Sequence, residues 1–395
     1  MRLLPTIRKP IAAWVCGMVC VCLLILPTGL QAAALLARTN VSLNGAVVVD
    51  SFDSRDPGYS INGRYDPSRR KDGGHVVLTE NRTNAQINAS PSTGGSVEIY
   101  GRAYIGDDGP EIYLGANGSN AALGSTNWVD GTNPGIEPGW LVRYAGIYLP
   151  DAPAPPTGGL PLPSKSTYQF QGTNYFNSYL LFGYGYYQQN AIQLSSSEKI
   201  LVQGHVKLYV QTDFKMSGQS LVIIGTNSSL TLYVGRLAQF WAGGVINRTG
   251  FATNLTVYGL NSCTNILYGG GSDFIGTIYA PHSSFNMSGG GISSYHLVGS
   301  VIANSITIDG HYQVHYDEGL AGFPLFPGAM LGAPSVGANG LFQFQVSGVF
   351  LGDYAVESTT NLIDWTRVLT NSSPFIFTNT ETRAEQRFFR AVYLP

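Results

Sequence analysis

Charge is scarce in this chain. Asp, Glu, Lys and Arg make up only 12% of 395 residues, about half the usual share of roughly 25%. That excludes a coiled coil and a highly charged disordered chain. There is no basic excess either, since 22 Lys and Arg face 24 Asp and Glu. A nucleic-acid binder that works through phosphate contacts is therefore excluded. Cysteine is nearly absent, and Cys16, Cys20 and Cys22 cluster near the start, which leaves Cys263 by itself. One cysteine cannot form an internal disulfide, a thiolate zinc site or a CxxC redox pair, and is read as a small buried hydrophobe. No apolar run after residue 26 is long enough to cross a bilayer. GxSxG, HExxH and P-loop motifs are all missing.

What is present points to β structure. Hydrophobic residues are 44% of the chain, and Tyr (23) and Phe (18) are abundant. Glycine (49) and proline (21) supply turns without reaching the share that marks low-complexity disorder. The first residues have the three-part layout of a secretory leader. Arg2, Arg8 and Lys9 precede the apolar run Ile11 to Leu26, and Gln31-Ala32-Ala33-Ala34 supplies a small-residue cleavage site. Residues 1–34 are expected to be a signal peptide, with the mature chain starting at Leu35 outside the cytoplasmic membrane. Taking three cations from the 22 leaves 19 basic against 24 acidic side chains, a mature charge near −5.

A short pattern recurs at Lys207-Leu208-Tyr209-Val210, Thr231-Leu232-Tyr233-Val234, Thr256-Val257-Tyr258-Gly259, Thr277-Ile278-Tyr279-Ala280 and Ser300-Val301-Ile302-Ala303, in steps of 24, 25, 21 and 23 residues. A second pattern trails it, alternating and ending at glycine: Phe214 to Gly218, Phe285 to Gly289 and Ile306 to Gly310. Periods of this size mean a repeat architecture. The alternation and the β-branched content exclude helical repeats, and about 40 residues would be needed for a propeller blade. One rung of a parallel β-helix fits. The expected fold is all-β, a parallel β-helix (solenoid) with a small C-terminal antiparallel β-sandwich-like module. Residues 35–148 are read as N-terminal rungs and loops, 149–165 as an extended Pro-rich linker, 166–318 as the main repeats, 319–336 as a second linker and 337–395 as the C-terminal module.

Residues 200–320 resemble secreted bacterial families of unknown function with adhesin-like, β-helical repeats, including the choice-of-anchor A type and pilus-assembly-like relatives. The stretches Gly204 to Val210, Gly276 to Pro281, Gly299 to Asn304 and His315 to Glu318 carry the resemblance, as does Val49 to Ser54. The C-terminal stretch, with Val356 to Thr359 and Asn361 to Thr366, resembles a β module ending many secreted proteins of Verrucomicrobia-like bacteria. The resemblance implies extracellular or cell-surface placement and carries no catalytic residues.

Two groups of side chains are candidate sites. Asp50, Asp53 and Asp56 lie close together before Gly58, an oxygen-rich stretch that suits Ca²⁺ or a set of Asx turns. In His311-Tyr312-Gln313-Val314-His315-Tyr316-Asp317 a strand places Tyr312, Val314 and Tyr316 inside and His311, Gln313, His315 and Asp317 outside. Residues four apart on a strand are about 13 Å apart, so His311 and His315 cannot share a metal, whereas His315 with Asp317 could form a surface site. The plainer reading is a polar face on the final, exposed strand. Tyr168, Phe170, Tyr175, Phe176, Tyr179, Phe182, Tyr184, Tyr186 and Tyr187 form a dense aromatic block, read as a cover for the solenoid or as a platform for sugar rings. The expected function is that of a non-enzymatic secreted or cell-surface structural or adhesive protein. Its partner would be extracellular matrix, a polysaccharide or a cell-envelope component. The alternative is a polysaccharide-binding module or a polysaccharide lyase or hydrolase.

Overall fold

The computed structural model describes residues 33–80, 86–90, 97–106, 112, 114, 118–125, 128, 135–144, 149–289, 295–310, 312–320, 330–332, 334–337, 341–347, 353–361, 363–372, 375–380 and 387–394. Residues 1–32, which hold nearly all of the expected leader, lie outside them. Among the described residues the regular structure is β-strand with three short 3-10 turns. No helix among them is long and apolar enough to cross a membrane.

One 24-stranded sheet dominates. The hairpin of Ser166–Phe170 with Thr173–Gly183 is antiparallel, and the other pairings between its strands are parallel. The arrangement is consistent with a β-helix or solenoid. The period of the first sequence pattern becomes the pairing register. Leu208 pairs with Leu232, Leu232 with Val257, Val257 with Ile278 and Ile278 with Val301. All five are buried in one core cluster. The second pattern gives another inward row, Phe214, Ala238, Ile266, Phe285 and Ile306. Alternation explains the rows, because residues two apart point to the same side of a strand and equal registers stack like side chains. Gly299 marks a corner at φ 136°, where a Cβ would lie 1.9 Å from the Gly276 carbonyl oxygen of the preceding tier.

The tiers are not stacked in chain order. Val301 to Asp309 pairs with Leu35–Asn44, and Val314 to Asp317 pairs with Val49 to Phe52. The tier begun by Tyr312–Asp317 is thus completed by the N-terminal strands, not by the residues that follow it. The inward rows run on through the junction: Val301 to Leu35, Val76, Ala103 and Leu141, and Ile306 to Val41 and Ile87. The chain must therefore travel back along the stack before Ser166, and the Pro-rich segment makes that journey. Leu149 is buried against Tyr104, Tyr258 and Tyr279. Tyr279 Oη donates to the Pro150 carbonyl at 2.6 Å, Asn261 and His282 both reach the Asp151 carboxylate, Tyr186 donates to the Pro156 carbonyl, and Leu160 bridges to Tyr187.

The repeat's tyrosine is the outward residue of each tier. Tyr209, Tyr233, Tyr258 and Tyr279 pair in register, and Tyr233 stacks on Tyr258 with centroids 5.2 Å apart. The row is buried because the Pro-rich segment lies against it, an extended chain on an aromatic surface. Tyr279→Phe removes one hydrogen bond worth about 0.5–1.5 kcal/mol and leaves the ring in place. Limited proteolysis between residues 150 and 165 is expected to quicken, with the stack's own transition nearly unchanged.

The C-terminal residues form two antiparallel sheets. One contains Met330–Leu331, Ser335–Val336, Phe342–Ser347 and Phe375–Thr378. The other contains Asp353–Thr359, Thr366–Ser372 and Phe388–Leu394. Phe344, Val346, Tyr354, Val356 and Phe377 bury one shared cluster between them, as the alternating sequence there leads one to expect. Cys263 is free and buried in the main core, and burial pushes its thiol pKa up.

Candidate functional site

The outward residues of three adjacent strands, with the residue that precedes a fourth, form a polar row at the junction of the two chain segments. Leu297, Val314 and Val49 point into the core. Their neighbours His296, His315 and Asp50 therefore point out. Val298 is paired with His315, and His315 with Asp50. Asp273 precedes the next strand on the other side and accepts the His296 backbone N–H at 2.8 Å.

The side chains are linked end to end. His315 Nδ1 is 2.5 Å from Asp50 Oδ1, and His315 Nε2 is 2.8 Å from His296 Nδ1. The second Asp50 oxygen accepts the Tyr65 hydroxyl at 2.8 Å. Tyr65 comes from the segment after Phe52, and its ring stacks on His315 at 3.5 Å between centroids. Phe52 braces Tyr65 edge-on. Asp50 and His315 are 0% and 2% exposed. The sequence reading of an exposed final strand is thus corrected. Tyr312–Asp317 is flanked by Tyr295–Asp309 on one side and Val47–Phe52 on the other, and residues 53–72 cover its outer face.

Burial sets the chemistry of the row. A buried carboxylate must be hydrogen-bonded, and Asp50 has one partner on each oxygen. With the Asp50 carboxylate accepting, His315 carries its proton on Nδ1. Burial, and next the neighbouring His315, hold the His296 imidazole below the ordinary histidine pKa of 6.5. Burial, and then the Asp50 charge, push the Tyr65 phenol well above its usual range.

The same junction gathers a second set of charges. Asp317 is buried, which raises its pKa, while the Ser54 and Gly319 N–H groups oppose the rise by donating to it. Asp53 takes a two-pronged contact from Arg55 at 3.0 and 3.1 Å, which lowers its pKa. Glu318 accepts from Ser51 and pairs with Lys71. Asp56 accepts the Gly58 N–H at 2.7 Å, an Asx turn.

The two sequence candidates therefore meet, but in a different grouping. Asp50 joins His315; Asp53 and Asp56 turn to other partners; Asp317 binds backbone N–H groups; His311 lies outside the described residues. The three carboxylates have separate partners, His315 and Tyr65 for Asp50, Arg55 for Asp53 and the Gly58 N–H for Asp56. No group of three or more His, Cys, Asp or Glu side chains among the described residues is arranged to hold a metal ion. His296, Tyr65 and Asp273 escaped sequence reasoning. The pairing of Tyr295 to Val298 with Tyr312 to His315 is the one signal that aligns His296 with the second candidate.

The aromatic block divides. Phe170 packs on Leu201 and Ile223 with Tyr168 and Tyr175 beside it, and Arg248 bonds Tyr175 and Gln171. This half covers the outer face of the first tiers. Phe176, Phe182 and Tyr184 are 67%, 62% and 89% exposed.

Residues 182–323 match a domain of unknown function, DUF7305. The DUF7305 segment begins at Phe182 and runs past Leu320, so it contains Asp273, His296 and His315. Asp50 and Tyr65 lie outside it, and the row is complete only where the N-terminal strands join the segment. No curated protein and no solved structure matches the chain.

Proposed function

We infer that this chain is a non-enzymatic secreted or cell-surface structural or adhesive protein whose repeats wind as a parallel β-helix. The observation that carries the reading is the exposure of Phe176, Phe182 and Tyr184 on a stack whose inward rows are continuous from Leu208 to Leu141. A rod with stacked tiers is stiff and presents one long surface. Large aromatic rings left in water on such a surface are available to a partner. The partner would be a matrix, a polysaccharide or another envelope component.

The same rings favour a second reading, a polysaccharide-binding module, because flat aromatic faces stack on the apolar faces of sugar rings. Incubation of the mature protein with a panel of polysaccharides separates the readings. Binding by the aromatic group is expected to appear as retention that falls about tenfold in a Phe182→Ala, Tyr184→Ala double variant, the loss of one or two exposed stacking contacts. Retention unchanged in that variant removes the aromatic group from either reading. New reducing or unsaturated ends in the digest would replace both with a lyase or hydrolase. Neither retention nor cleavage leaves adhesion to protein or envelope surfaces, tested next by cell-surface pull-down with the same variant.

A further inference from the structure

The Asp273, His296, His315 and Asp50 row crosses the junction where the N-terminal strands complete the DUF7305 segment. Its covering segment, residues 53–72, is tied to it through Tyr65, which both stacks on His315 and donates to Asp50. The backbone of the same segment is pinned to the Val47–Phe52 strand by paired hydrogen bonds between Ser51 and Lys71. Asp50 and His315 are buried beneath this segment, with His296 and Asp273 half-buried beside them, so the chemistry of the pair bears on the protein's own conformation.

Two imidazole nitrogens that face each other at 2.8 Å form a hydrogen bond only when one of them holds a lone pair. The row accommodates one imidazolium. If the extra proton is on His315, that ring sits against the Asp50 carboxylate and its Nε2–H donates to His296. If it is on His296, Nδ1–H still donates to His315 Nε2, and Asp273 lies close by. A second proton on the pair fits neither arrangement. It sets N–H against N–H and puts two positive charges side by side, one of them on the buried His315.

We propose that His296, His315 and Asp50 form a proton-operated latch, which holds the cover segment 53–72 and the Val47–Phe52 strand closed while the pair carries at most one imidazolium and releases them when both rings are protonated. The titratable groups facing the pair are Asp50 from Val47–Phe52, Tyr65 from the cover and Asp273 from the neighbouring tier. Both carboxylates support the first positive charge, and neither lies between the two rings to separate the second. Opening separates the two rings, so that both can be protonated at once. The open form then binds one more proton than the closed form, and the opening constant rises by up to about tenfold per pH unit as pH falls through the histidine range.

The test is hydrogen exchange of the Ser51 and Lys71 amides from about pH 7.5 to about pH 5, a range spanning histidine titration, expressed as protection relative to the unfolded chain at each pH. Protection is expected to fall towards acid by up to about tenfold per pH unit. The fall should flatten in His296→Gln, which keeps a donor but cannot charge. It should persist in His75→Asn, which removes a half-buried histidine outside the row. A flat parent profile, or an undiminished fall in His296→Gln, overturns the proposal. Should that variant not fold, ring-nitrogen resonances of the unaltered protein decide. Loss of protection that tracks the second protonation supports the latch, and two rings that both charge while Ser51 and Lys71 stay protected refute it.

Discussion

A chain without residues 33–52 is expected to be recovered as aggregate or oligomer, although the whole DUF7305 segment is intact. Those residues place Leu35, Val41, Leu43, Val47 and Val49 in the main core, each 0% exposed. Burial of each is worth about 1.5–3 kcal/mol, so the set contributes about 8–15 kcal/mol. That is comparable with the whole stability of an ordinary domain, about 5–15 kcal/mol. Deletion also strips the partners from Val301 to Asp309 and from Val314 to Asp317, leaving a long unpaired edge. Exposed parallel edges recruit other chains. Size-exclusion chromatography of the deleted chain checks this, with co-expression of residues 33–52 as the rescue. A monomeric, cooperatively unfolding product would mean that the junction contributes little.

Asp50→Ala is expected to destabilise by about 3–6 kcal/mol, the loss of two hydrogen bonds to one buried carboxylate. Two groups lose their acceptor at once, His315 Nδ1 and the Tyr65 hydroxyl, and both lie under the cover. Asp50→Asn separates charge from hydrogen bonding. Its amide oxygen can still accept from His315, while its amide nitrogen turns towards Tyr65, whose hydroxyl can accept instead of donate. The expected loss is then about 1 kcal/mol, that of a weakened neutral hydrogen bond. Denaturant unfolding at neutral pH measures both, with the slope unchanged if the unfolded state is unaffected. Equal losses for the two variants would mean that the carboxylate's charge carries no part of the junction's stability.

These effects share a location, which the pairing explains. Within the run from Leu208 to Val301 each tier is followed in space by the next in sequence, and local order supports it. At Tyr312–Asp317 the neighbour is supplied from more than 260 residues away, through Val49 to Val314 and Asp50 to His315. Such a contact must close a very long loop before it stabilises anything.

Much of this architecture was written in the residues. The steps of 21 to 25 residues fixed parallel pairing and register, because equal side chains at equal positions bury each other in rows. Alternation fixed which residues of Lys207 to Val210 and of Phe214 to Met216 point inward. The phenylalanine-rich strands after residue 340 fixed the C-terminal antiparallel sheets. Composition also marked Cys263 as a core residue. Tertiary structure alone decided the rest. Alternation names the outward face of Tyr312–Asp317 without saying what lies over it, and the cover comes from residues 53–72. The repeat's tyrosines face outward, and nothing in the repeat says that the Pro-rich segment lies against them. Asp50 and His315 stood in separate candidate sites, because spacing along a chain carries no information about a partner that arrives from its other end.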